Sequence, residues 1–313
     1  MQNRLPAALS AAALFVLSSC SSMKPEAPPR TTQVTSTEAN ESAAGVARRT
    51  GFATADDGTR IYYEASGSGP AIVLVHGLGG NHAVWFQQVA SLARRYTVVT
   101  LSQRGFAPSG GDHTAYPVDR YVRDLVAVMD AAGVARAVIV GQSMGGWTAL
   151  GAALHAPERV SALVLADTTG GISDKQIAAH LRKVTAQAEK LRATPPPLGV
   201  HPALAPAFSR DHPDLGYLYQ TLSTFGSPPP DVIANHLARS TVSYREVKNV
   251  RVPTLFVVGT EDRLFPPDLV RHAASGIRKV EVSELGGSGH SAYFENPGLW
   301  NAVVRGFIDR RVR

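Results

Sequence analysis

The apolar residues of this chain fall in short, well-separated blocks. Ala71-Ile72-Val73-Leu74-Val75 is apolar throughout and bounded by Gly and Pro, as expected for a strand buried on both faces. Tyr96–Leu101, Ala137–Val140, Val160–Ala166 and Thr254–Val258 carry the same signature, and Lys279–Ser283 adds another strand. Helical spacing separates them at Ala83–Arg94, Val118–Ala132, Gly145–His155, Pro267–Ser275 and Pro297–Arg310. Strand alternating with helix predicts an α/β fold: a mostly parallel central sheet with helices on both faces. Two shorter strand-like runs, Phe52–Ala55 and Arg60–Ala65, flank the turn Asp56-Asp57-Gly58. The alternation stops between residues 170 and 250. Helical patterns such as Gln176–Leu191 and Asp231–Ser240, with two proline triplets, predict a helical cap inserted above the strand ends.

The N-terminus has a different character. Met1–Arg4 precede the apolar stretch Leu5–Leu17, which is too short for a bilayer span of about 20 residues but suits an export signal. Cys20 is the single cysteine, so no intramolecular disulfide can form. Leu17-Ser18-Ser19-Cys20 resembles the bacterial lipoprotein lipobox. The resemblance implies that residues 1–19 are a signal peptide and that Cys20 becomes the acylated first residue. Two or three acyl chains then give stable anchoring. Ser21 in place of an aspartate resembles the pattern directed to the outer membrane of Gram-negative bacteria, on its periplasmic side. Residues 20–50, rich in Ser, Thr, Pro, Ala and Glu, are expected to be a disordered tether, and residues 51–313 the globular domain.

The net charge of +6 comes from scattered Lys and Arg with no dense run, so a nucleic-acid partner is not expected. No dinucleotide or Walker motif and no metal-ligand spacing occurs, so the reading carries no cofactor and no metal. A small-molecule substrate and a monomer are expected.

The sharpest chemical signal is Gly141-Gln142-Ser143-Met144-Gly145, placed between a strand and a helix. Alone, Gly-x-Ser-x-Gly is weak. In that context the serine sits on a tight turn above the sheet edge, and the following helix points its N–H groups and positive dipole end at the site. The motif resembles the nucleophile elbow of the α/β-hydrolase family, in its esterase and lactonase-like branch, over residues 51–313.

That resemblance implies the remaining roles. His290, in Gly286-Gly287-Ser288-Gly289-His290-Ser291, resembles the family's Gly-His loop and would be the base. Asp262, in Val258-Gly259-Thr260-Glu261-Asp262, matches the family's acid; Glu261 is adjacent, and Asp167 is a second position where some members place the acid. The order Ser143, Asp262, His290 is the one this fold uses. The oxyanion donors would be the N–H groups of Met144 and, from His76-Gly77-Leu78-Gly79-Gly80, of Leu78. His76 reads as a buried support for that loop. Ser102-Gln103-Arg104-Gly105-Phe106-Ala107-Pro108-Ser109 resembles a scaffold loop of the family but has Ser102 and Ala107 where Asp and Gly are usual. Trp147 and Asp167 are candidate substrate contacts. The implied activity is hydrolysis of a small or medium apolar carboxylic ester through an acyl-enzyme. The same triad also serves lactone, carbon–carbon or amide hydrolysis and cofactor-free peroxidation. A non-catalytic binding lipoprotein on this fold is the remaining reading.

Overall fold

The computed structural model describes residues 31–32, 45–111, 117–192, 196–225 and 236–312. Eight strands of five to seven residues run in chain order: β1 Arg48–Thr54, β2 Arg60–Ser66, β3 Ala71–Val75, β4 Thr97–Leu101, β5 Ala137–Gln142, β6 Val160–Ala166, β7 Thr254–Gly259 and β8 Val280–Leu285. Across the sheet the order is β1-β2-β4-β3-β5-β6-β7-β8. From β4 to β8 all neighbours are parallel, while β2 is antiparallel to both β1 and β4. Beyond β8, Thr31–Thr32 pairs in parallel with Val282–Ser283.

The apolar runs form strands because both faces of the sheet are covered. Along β3, Val73 and Val75 pack with Leu125 of α2 (Val118–Ala131), Leu150 of α3 (Gly145–His155) and Leu269. Ile72 and Leu74 point the other way, against Leu92 of α1 (Phe86–Leu92), Trp300 and Phe307. A strand's side chains alternate between faces, so only an unbroken apolar run fills both layers. Each such aliphatic side chain contributes about 1.5–3 kcal/mol by its burial.

Between β6 and β7 lie α4 (Lys175–Arg192), α5 (Pro206–Asp211) and α6 (Pro213–Leu222). The latter two start on prolines, which suit the first helical position because its N–H has no intrahelical partner. The insertion is tied at its root: Ile172 bridges to Val242, the Ser173 N–H donates to the Val242 carbonyl at 3.0 Å, and the Val242 N–H to that of Gly171 at 2.8 Å. Of the helix expected over 231–240, residues 231–235 lie outside the described residues, and 236–239 are helical. After β7 come α7 (Pro267–Ala274) and, after β8, α8 (Pro297–Arg311).

The expected export leader, Cys20 and most of the expected tether lie outside the described residues. At the tether's end the strand begins earlier than its composition implies. Arg48 and Arg49 belong to β1, where the Arg48 guanidinium bonds Glu64 of β2, with Nε 3.0 Å from the carboxylate. Cross-strand pairing of this kind overrides a weak local propensity.

Candidate active site

Ser143 stands at the junction of β5 and α3 with φ +49°, in the left-handed region. A residue with a Cβ holds that conformation at a cost of order 1–3 kcal/mol, so its surroundings must enforce it. They do: the Ser143 N–H donates to the Ala166 carbonyl at 2.9 Å, and the Ser143 carbonyl accepts from Gly146 N–H and Thr168 Oγ1, each at 2.9 Å. The flanking glycines allow the turn to close. A Cβ on Gly141 would lie 2.3 Å from the Gly145 carbonyl oxygen, and one on Gly145 would lie 2.3 Å from that of Val75. Gly145→Ala is therefore expected to lower stability by about 2–3 kcal/mol, read as a fall in urea midpoint, because backbone must move.

His290 comes from the loop after β8, and Asp262 from the turn after β7. The imidazole Nε2 lies 2.9 Å from Ser143 Oγ and Nδ1 lies 3.0 Å from Asp262 Oδ2. The other oxygen of Asp262 accepts the N–H groups of Leu264 (2.8 Å) and Phe265 (2.9 Å), which fixes the carboxylate and leaves Oδ2 for the histidine. Asp262 and His290 are buried, whereas Glu261 is exposed. The Phe265 ring lies nearly parallel to the imidazole, with centroids 5.6 Å apart, and Gln142 Nε2 donates to the His290 carbonyl at 2.9 Å. Nδ1–H facing a carboxylate leaves the Nε2 lone pair for the Ser143 hydroxyl proton.

The loop after β3 lies directly against the elbow: a Cβ on Gly77 would be 3.0 Å from that of Ser143. Among the described residues neither the Leu78 nor the Met144 N–H has a hydrogen-bond partner. His76 holds this loop. Its Nδ1–H donates to the Gly77 carbonyl at 2.7 Å, and its Nε2 accepts from the Gln103 N–H at 2.9 Å. Gln103 also donates to the His76 carbonyl and accepts from Thr148 Oγ1, so the scaffold loop braces the loop after β3 against α3. Arg104 fixes the scaffold in turn, through a two-pronged contact with buried Asp124 at 2.6 and 2.7 Å and a bond to Asp57 at 2.8 Å.

Burial lowers the His76 pKa from 6.5 to about 4. The folded state then binds fewer protons than the unfolded one between these values. The stability this contributes is present above pH 6.5 and is lost as pH falls toward 4, by about 3 kcal/mol. His76→Asn, which can keep one donor and one acceptor, is expected to show a flatter dependence of unfolding free energy on pH over that window.

The two expected substrate contacts, Asp167 and Trp147, are both bonded within the protein. Asp167 is fully buried, also in left-handed backbone (φ +49°), with Oδ1 accepting the Gly259 N–H at 2.9 Å. Its Oδ2 has no well-formed bond, and burial together with the nearby Asp262 charge pushes its pKa well above the carboxylate range. It lies between the ends of β6 and β7, where burial opposes its ionisation. Trp147 donates its indole N–H to the Ser240 carbonyl at 2.9 Å and meets Phe265 edge-on, so it fastens the cap to the body.

Several site residues carry no sequence signal. Glu295 accepts the Gly289 N–H at 2.9 Å and the Ala205 N–H at 2.8 Å, joining the His290 loop to the cap, and burial raises its pKa despite those bonds. Only a lone acid in the apolar Ala-Tyr-Phe-Glu run hints at it. Tyr219 of α6 shares a 2.6 Å hydrogen bond with Ser291 Oγ.

The sheet, the strained serine between strand and helix, and the histidine loop after the last strand define the hydrolase class with a nucleophile elbow. Residues 70–297 match the family described as alpha/beta hydrolase fold, and the chain belongs to that family. It is 26% identical over 261 residues to RutD of Azorhizobium caulinodans, named as a carbamate hydrolase, covering 79% of this chain and 94% of that one. Among solved structures, the esterase RhEst1 from Rhodococcus sp. ECU1013 superposes with a TM-score of 0.69 at 26% identity, over 83% of this chain and 98% of that one. Est816, described as an N-acyl homoserine lactone degrading enzyme, does so with 0.68 at 25%, over 82% and 100%.

Proposed function

We propose that this protein is a serine hydrolase that cleaves small or medium apolar carboxylic esters through an acyl-enzyme. The observation that carries the reading is the unbroken relay from Ser143 Oγ through His290 to Asp262, at 2.9 and 3.0 Å. His290 takes the Ser143 proton as the oxygen attacks the acyl carbon, and Asp262 stabilises the imidazolium. The Leu78 and Met144 N–H groups receive the oxyanion. His290 then hands the proton to the departing alcohol, and a water activated by the same imidazole clears the acyl group.

The test is fluorophosphonate labelling, followed by turnover of p-nitrophenyl esters of rising chain length beside lactones, carbamates and vinylogous diketones. Labelling at Ser143 with turnover of the esters is expected. An unlabelled protein would sink the catalytic reading, and turnover of the diketones alone would sink the ester assignment. The lactonase and carbamate readings rest on the names of Est816 and RutD.

The N-terminal sequence supports a second proposal about place. Acylation at Cys20 would hold the domain at a bacterial membrane on a tether of ~30 Å reach. Cys20→Ser should move the protein from the membrane to the soluble fraction; unchanged fractionation would overturn the anchor.

A further inference from the structure

The loop that carries His290 has few side chains of its own to hold it. Gly286, Gly287 and Gly289 bring none, and a Cβ on Gly286 or Gly287 would meet nothing within 4 Å. Near the histidine its position rests on backbone bonds. The Ser288 carbonyl accepts the Glu261 N–H at 2.8 Å, and the His290 carbonyl accepts from Gln142 Nε2 at 2.9 Å. Between these two, the Gly289 N–H donates to the Glu295 carboxylate, 2.9 Å from Oε1 and 3.1 Å from Oε2. Glu295 ends the one-turn helix Ala292–Glu295, whose Tyr293 and Phe294 are buried in the core. The carboxylate therefore holds the loop from a fixed support.

The same carboxylate holds the cap. Oε2 accepts the Ala205 N–H at 2.8 Å, from the turn ahead of α5. This turn packs against the histidine loop without a gap: a Cβ on Gly289 would lie 2.6 Å from the Ala205 nitrogen and 2.9 Å from the Leu204 carbonyl carbon. One acid thus fixes both the residue before His290 and the cap segment lying against it. An ionised carboxyl suits this place, since it accepts at both oxygens and donates at neither.

Resting on the hydrolase reading above, we infer that Glu295 is a positioning residue for the reaction. By holding the Gly289 N–H from the carboxylate that also seats the cap, it sets the reach of the adjacent His290 imidazole to Ser143 Oγ, 2.9 Å away. His290 serves acylation and deacylation alike, so a displaced imidazole slows both steps and leaves KM nearly unchanged.

The experiment grades this support with Glu295→Gln and Glu295→Ala. In either orientation the glutamine keeps one amide oxygen for the Gly289 N–H, while its N–H₂ opposes a backbone N–H; alanine offers no acceptor. Each full-length variant is counted by fluorophosphonate labelling of Ser143 carried to completion, and kcat and KM for p-nitrophenyl butyrate are taken per labelled site. In Glu295→Gln, kcat should fall about fivefold, the worth of one neutral hydrogen bond. In Glu295→Ala it should fall about thirtyfold, inside the roughly 10²-fold that a misplacement of about 1 Å can cost. KM should stay within about twofold in both. A group that only stabilises the fold would lower the urea midpoint and leave kcat per labelled site unchanged. That result in Glu295→Gln, the variant that keeps most of the bonding, would overturn the positioning role even if Glu295→Ala fails to fold. A loss confined to KM would overturn it too. Both outcomes leave the hydrolase reading standing, because the wild type is still labelled; a wild type that is not labelled would overturn both.

Discussion

Ser143→Ala should lower kcat for a p-nitrophenyl ester by about a million-fold and abolish fluorophosphonate labelling, with the fold unchanged. The size of the effect follows from the relay: without Oγ, the base and the acid have nothing to act on, and only binding and the oxyanion donors remain. The neighbouring backbone permits a second, less obvious outcome. Ser143 sits at φ +49°, held there by bonds to Ala166, Gly146 and Thr168. Glycine adopts that conformation without the Cβ penalty. Ser143→Gly should therefore be as inactive as the alanine variant yet more stable by about 1 kcal/mol, seen as a raised urea midpoint. A gain of that sign would identify stored strain at the nucleophile; a loss would show that the serine side chain itself supports the turn.

The second large effect separates two buried acids. Asp262→Asn should reduce kcat about 10⁴-fold, because an amide can present its N–H₂ to Nδ1 and so favour the wrong imidazole tautomer. Asp167→Asn should fall less than about tenfold. Burial beside Asp262 opposes ionisation of its carboxyl, and its bond from the Gly259 N–H is one that an amide oxygen accepts equally well. If Asp167→Asn were the damaging change and Asp262→Asn the mild one, the acid would have been assigned to the wrong strand. Comparing single-turnover rates of the two variants on one ester decides this.

Much of this architecture is written in short-range pattern. The runs Ala71–Val75 and Val160–Ala166 and the helix Gly145–His155 occur with the boundaries that their periodicity implies, since a strand covered on both sides has no polar position to blur its limits. Ser143, His290 and Asp262 were legible because each lies next to glycines or at a strand end, where few sequences satisfy the backbone. The surroundings of Trp147 and Asp167 were less legible, for the converse reason. Their type and position suit a pocket wall, but whether a side chain faces substrate or a neighbouring element depends on contacts with Ser240 and Gly259, roughly ninety residues away in the chain. The start of β1 was placed late because Arg48 and Arg49 are strand only by virtue of the partner strand β2.

By itself, then, the sequence determined the alternation that builds the sheet, the strand–turn–helix that carries Ser143, and the chain order of Ser143, Asp262 and His290. These depend on local sterics and on burial periodicity, which neighbouring residues encode. Only the tertiary structure decided that Glu261 is exposed while Asp262 faces His290, and that Asp167 is fully buried, where burial opposes its ionisation. It likewise decided that Glu295 and Tyr219 gather around the His290 loop. Burial and charge proximity are set by chain closure over long separations, and no local pattern records them.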